Sequence, residues 1–429
     1  VMFDQCKALI IGLQKRGAVV GSSLNTAYLL ERLSQTLERL ETLMAIFVSN
    51  RYLPRRILLL TGCFARAAAE RHSISRLWKQ SSGLIARSVT QNAGDHGEHY
   101  ITRDKKEYWA MFYSAAGGGV LIALMALFKT YLGSIIDDKV WKGLAEGLNY
   151  GFGFMVIFML HFTVATKQPA MTAARFAEAV EKNPQGKTLN MKLAQLLVDV
   201  FRSQSVAVLG NVVVAMGLAA LIAFVYQHQT GEPLMNSEKI AYQLHRIDPL
   251  DGSLWFAAIA GVWLFCSGII SGYFDNRSNY LNMRMRLAQH PLLKKLMSEK
   301  SRVKFANYMH ENYGSLIGNF CFGMLLGLTG LVGYLTHLPL DIRHVAFSSA
   351  NLGYSAVSGQ FAYPFFLQCI AFVLLIGLVN LIVSFSLTLW VALRSLNTEI
   401  DSWWSIWHEV CQIVKKRPLS LFFPVQLDK

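Results

Sequence analysis

The chain has 429 residues, 53% of them hydrophobic and 16% charged, with a formal net charge of +14. A soluble domain carries roughly 25% charged residues, and here the charges cluster between long apolar runs, which excludes a string of soluble domains. The six cysteines show no CxxC spacing and imply neither a disulfide framework nor a zinc site.

Residues 1–108 read as basic helices. Leu30, Leu33, Leu37, Leu40, Met44 and Phe47 follow a 3-4-3-4-3 spacing, the seam of a helical bundle or a short coiled coil. Gly94-Asp95-His96-Gly97 reads as a turn before the membrane region. In the stretch Asp95-His96-Gly97-Glu98-His99, His96 and His99 flanked by carboxylates form a weak metal candidate. The chain opens on Val1 with no signal peptide, and it reads as the C-terminal part of something longer.

A bilayer core needs about 20 apolar residues per helix. Six stretches fit: 109–132, 147–166, 205–226, 254–274, 314–336 and 364–393. Lys129 breaks the first near its outer end, where a long side chain can snorkel. Basic residues set the orientation. Residues 1–108, the loops 167–204 and 275–313, and the tail after 393 hold 35 Lys and Arg, whereas the three intervening loops hold five. The positive-inside rule then puts both termini in the cytoplasm.

The expected fold is all-α, a polytopic membrane helix bundle of about six transmembrane helices. Residues 1–108 form a cytoplasmic helical region, 109–394 the transmembrane domain and 395–429 a cytoplasmic tail. Gly210-Asn211 and Gly318-Asn319 stand 108 residues apart in the third and fifth spans, with Met216/Met324 and Tyr226/Tyr334 at the same offset. This predicts parallel two-span repeats. Gly147-x3-Gly151 and Gly323-x3-Gly327 are small-xxx-small patterns, read as tight packing within one bundle.

Three places hold candidate binding residues. His161 lies in an apolar run, and an ionisable residue at that depth is a functional hypothesis, although a neutral imidazole bonded to a neighbouring helix is the plainer reading. After it, Lys167 and Gln168 precede Pro169 at headgroup level, where they either anchor the helix or meet a lipid phosphate. Asn211 and Asn319 are expected to bond across helices. In the outer segment 337–354, Asp341, Arg343 and His344 gather charge in a loop otherwise poor in it. They read as a local ion pair capping a helix or as a ligand site. The apolar stretch Val345–Val357 that follows is too short to span, and reads as re-entrant or interfacial. No catalytic motif appears: there is no Walker A, HExxH, GxSxG or Rossmann fingerprint, and no cofactor is called for.

Several stretches carry a resemblance: Gly97-Glu98-His99-Tyr100-Ile101, Ser114-Ala115-Ala116-Gly117-Gly118-Gly119, Ala165-Thr166-Lys167-Gln168-Pro169-Ala170-Met171-Thr172-Ala173, Gly318-Asn319-Phe320 and Leu338-Pro339-Leu340-Asp341-Ile342-Arg343-His344. With these the chain resembles the bacterial membrane-protein family labelled site-specific recombinase, Gcr type. The resemblance covers roughly 97–355 and implies DNA strand exchange. A tyrosine recombinase uses a His-x-x-Arg pair, and none of the 11 histidines has Arg three positions later. The residues instead point to a multi-pass protein of the bacterial inner membrane that handles a lipid or solute, or serves as a scaffold, without being an enzyme. Its expected partners are the bilayer and anionic headgroups. A membrane-anchored factor in DNA recombination is the alternative, because the net +7 of residues 1–108 would also attract DNA.

Overall fold

A computed structural model describes residues 2–20, 24–48, 53–69, 102, 104–164, 187–395 and 402–424. Among these residues every regular element is helical. The chain divides into two compact units, one of Val1–Asn92 with Gly272–Tyr313, the other of Ala93–Ser271 with Gly314–Lys429.

The first unit contains α1 (Met2–Val20), α2 (Leu24–Val48) and α3 (Leu53–Ala69). Lys7 on α1 pairs with Glu41 on α2 at 2.5 Å. The heptad seam lies on α2, but Leu33, Leu40 and Met44 stay exposed along it. The same unit holds the end of a long helix, α8 (Ser253–Tyr280), two short helices, α9 (Met283–Gln289) and α10 (Pro291–Leu296), and the start of α11 (Glu299–Thr336). Asn282 turns the chain into α9 with φ +47°, and Arg302 Nε donates to Ala288 O at 2.7 Å.

The second unit is the membrane-type bundle. Its helices are α4 (Lys105–Ile135), α5 (Lys139–Met159), α6 (Lys187–Thr230), α7 (Ser237–Ile247), the start of α8, the end of α11, α12 (Val345–Ser358), α13 (Tyr363–Ser395) and α14 (Trp403–Lys416). Five helices among the described residues are long and apolar enough to cross a membrane: α4, α6, α8, α11 and α13. The predicted second span corresponds to α5, which is not one of the five. Its first two turns carry Lys139, Lys142 and Glu146, and it ends at Met159 rather than at 166.

Two glycine-lined helix interfaces set the packing. On α4 and α6, a methyl at Gly119 would meet Asn211 O at 2.8 Å, and one at Gly210 would meet Phe112 O at 2.8 Å. On α5 and α11 the two small-xxx-small motifs face each other: a methyl at Gly323 would collide with the backbone of Tyr150 and Gly151, and one at Gly327 with Gly147. Backbones this close gain dispersion along their whole contact, which replaces a hydrophobic force that lipid does not supply.

α12 is the apolar stretch too short to span. Its 14 residues give about 21 Å of helix, and ten of them are buried. It packs against α4, α6, α7 and α13. Tyr354 Oη donates to Ala123 O at 2.9 Å. Asn380 of α13 caps its start: Oδ1 accepts from Val345 N at 3.2 Å, while Nδ2 donates to Arg343 O and Ala257 O. The segment is therefore an interior half-helix, enclosed by protein so that its ends meet polar partners.

At one end of the unit, Arg202 of α6 is buried and donates to Thr102 O (2.5 Å), Asp199 Oδ1 (2.9 Å) and Ser420 O (3.3 Å). α14 docks against α6 through Ile406 and Val410, which meet Leu193, Ala194 and Val198. Trp404 and Trp407 of α14 remain exposed.

Candidate functional site

At the opposite end of the bundle, a cavity of about 510 Å³ opens where α4, α5, α7 and α11 meet the segment before α12. Local sequence builds each wall. Asp138 caps α5 by accepting from Val140 N and Trp141 N, so Lys139, Lys142 and Glu146 fall in its first two turns. Asn236 caps α7 by accepting from Lys239 N, and the helical spacing brings Lys239, Tyr242, Gln243 and Arg246 to the cavity. α4 contributes Lys129 and Thr130, and α11 presents Gly327, Gly330 and Tyr334.

The lining holds five cationic side chains, Lys129, Lys139, Lys142, Lys239 and Arg246, against two acidic ones, Glu146 and Asp341. The acids are already engaged. Glu146 meets Lys129 at 2.9 Å. Asp341 accepts from Arg343 Nη1 at 2.6 Å and faces Arg246 Nη2 at 3.5 Å. Arg343 is nearly buried, and its Nε donates to Arg246 O at 2.7 Å. Burial would raise the Asp341 carboxyl, but Arg246 and Arg343 outweigh it and hold the group at about 2. Burial opposes the charge of Arg246, and Asp341 more than restores it. Lys139 lies 4.0 Å over the Tyr334 ring, and among the described residues Lys139, Lys142 and Lys239 have no carboxylate partner.

Beneath this cavity lies a void of about 20 Å³, room for one water molecule, lined by polar groups that include Arg343, His344, Gln243 and Asn351. His344 sits against Phe154, Phe322 and Phe347, and burial pushes its imidazole down to about 4.

Of the residues singled out in the sequence, Asp341, Arg343 and His344 come together here. The others lie elsewhere or outside the description. Asn211 does bond across the bundle, its Nδ2 donating to Thr163 O at 2.9 Å and to Ala115 O. Asn319 Nδ2 donates to Ser315 O, one turn back in its own helix. His161 lies past the last helical residue of α5, Met159. It is exposed at the end of α5 with φ +57°, and its N–H bonds Phe158 O while that of Phe162 bonds Ile157 O. Those two bonds are a Schellman motif, with His161 in the left-handed position usually given to glycine. Lys167, Gln168, His96 and His99 lie outside the described residues. Among the described residues no group of three or more His, Cys, Asp or Glu could hold a metal.

The sequence reading missed Lys129, Lys139, Lys142, Glu146, Lys239, Tyr242 and Arg246 as members of one site. A signal was present: the basic residues in the three loops expected outside, together with Lys129, are the side chains that gather here. Lys129 is ion-paired rather than simply snorkelling.

A family model described as "Site-specific recombinase" matches residues 1–424. This agrees with the resemblance carried by the motifs. Neither a curated protein nor a solved structure matches the chain.

Proposed function

The chain belongs to the site-specific recombinase family, and we propose that it is a non-enzymatic inner-membrane protein that handles an anionic lipid or solute through the basic cavity. Both termini lie in the cytoplasm on this reading, in which α5 also returns the chain across the membrane, and the cavity faces the opposite side. One observation carries the proposal. Of 41 Lys and Arg, only six fall outside the segments assigned to the cytoplasm, and all six line the cavity or the void beneath it. Positive charge on the outer side runs against insertion, so its concentration around one cavity has a use. A volume of about 510 Å³ suits a small ligand or a headgroup.

The test is the melting temperature of the purified protein in detergent against a panel of polyvalent anions. A ligand at a hundredfold excess over its Kd stabilises by about 2.7 kcal/mol. The expected result is a rise with at least one anion. No rise with any of them would overturn the proposal.

The family description favours a second reading, a membrane-anchored factor in DNA recombination. It predicts salt-sensitive binding of duplex DNA by the full chain. Binding at low salt that weakens steeply as salt rises would favour it over the first.

A further inference from the structure

We infer that the cavity is built for a phosphate group, held by Lys139, Lys142 and Lys239. The inference rests on the anion-handling reading above and names the chemistry of the ligand.

Three of the cations are already spent on the two acids. Lys129 is neutralised by Glu146, and Arg246 and Arg343 share Asp341. Arginine forks match a planar carboxylate, and both forks here already serve one. What remains for a ligand is three lysine ammoniums, compact point charges with rotatable donors. They come from two elements, Lys139 and Lys142 from α5 and Lys239 from α7. Cations converging from separate helices suit a tetrahedral oxyanion, which presents oxygens in several directions. The surplus over the two acids of the lining is three positive charges, enough to balance a dianion.

The placement of these lysines breaks two rules together. They stand between expected spans, on the side where positive charge opposes the orientation of the chain. All three also sit in the opening turns of a helix, where the dipole disfavours a cation. Lys105 also opens a helix, but in a segment where the charge bias accounts for it. Local rules are broken where function compensates. The caps sharpen the assignment. Asp138 and Asn236 already occupy N–H groups at these helix starts, so the lysines rather than the backbone carry the anion. Tyr334 of the lining is exposed, as are Tyr131 and Trp141 next in sequence to the lining residues Thr130 and Lys142, and these are the residue types that sit at headgroup depth. A phospholipid headgroup and free phosphate present the same chemistry at that depth.

The full chain in a phosphate-free maltoside detergent tests this, read by melting temperature. Inorganic phosphate is added in one arm, phosphatidylglycerol in a second, and citrate in a third. A rise with inorganic phosphate identifies free phosphate as the source, and a rise with phosphatidylglycerol alone identifies a headgroup; either supports the inference. In K139Q/K142Q/K239Q the apparent affinity should fall roughly tenfold for each lysine removed. The triple arginine variant should keep most of the response, and K415Q/K416Q, which removes charge elsewhere, should keep all of it. A rise with citrate but not phosphate overturns the phosphate assignment and leaves the anion reading standing. No rise in any arm overturns both. An equal loss in K415Q/K416Q also overturns the inference, because the response would then be to net charge rather than to the cavity.

Discussion

Gly327 of α11 lies against Gly147 of α5 so closely that a methyl on the first would overlap the backbone of the second. The contact repeats one turn away between Gly323 and Gly151, so two small-xxx-small motifs form one interface. That interface fixes α5, whose first turns carry two of the cavity lysines.

Adding a methyl there should push the helices apart. Gly327→Ala is expected to cost about 1–3 kcal/mol, as overpacking does. Gly217→Ala is the matched control: nothing lies within 4 Å of a methyl at that exposed position of α6. It should be neutral or stabilising by up to about 1 kcal/mol. Melting temperatures of the two variants in detergent decide the matter. Equal effects would mean the α5–α11 contact is not tight.

Asp341 holds two guanidiniums, so Asp341→Asn leaves both Arg246 and Arg343 short of a counter-charge. The expected loss is about 2 kcal/mol or more, because a largely buried cation without its partner keeps its desolvation cost. A double-mutant cycle with Arg343→Met should recover part of it. Additive losses would mean that the pair is not coupled.

Stability should fall in two stages as pH drops. The His344 imidazole is held near 4 in the fold, against about 6.5 when unfolded, so the unfolded chain binds more protons between those values. Its contribution is present above pH about 6.5 and is lost as pH falls toward 4, on the order of 3 kcal/mol. Asp341, held at about 2 against roughly 3.9 unfolded, gives up its contribution below that, as pH falls toward 2. Melting temperature against pH in detergent reads both stages. His344→Phe should flatten the upper one and leave the lower one in place.

Arg202 ties three segments, bonding Thr102 O before α4, Asp199 within α6 and Ser420 O after α14. Arg202→Met keeps the bulk and removes the bonds. Limited proteolysis should then cut the segment after Lys416 several-fold faster, since hydrogen bonds to a charged group contribute about 1.5–3 kcal/mol each. An unchanged cutting rate would show that Ile406 and Val410 alone hold α14 in place.

The sequence alone determined the membrane-type helices, because about 20 apolar residues in a row have few other uses, and α4, α6, α8, α11 and α13 lie over five of the six expected spans. It also showed the glycine motifs and the cluster Asp341, Arg343 and His344, since small residues and charges in apolar surroundings stand out by type. Three matters were left to the tertiary structure. His161 became a helix terminus because the Schellman bonds depend on backbone torsion, which residue type signals only weakly at a non-glycine position. The stretch after His344 became an interior half-helix because its partners come from helices distant in sequence. The cavity itself joins Lys129, Lys139, Lys142, Lys239 and Arg246 from three helices. Composition counted those cations as a minority on one side of the membrane. Only the packing of α5 on α11 and of α7 beside α12 brought them around one space.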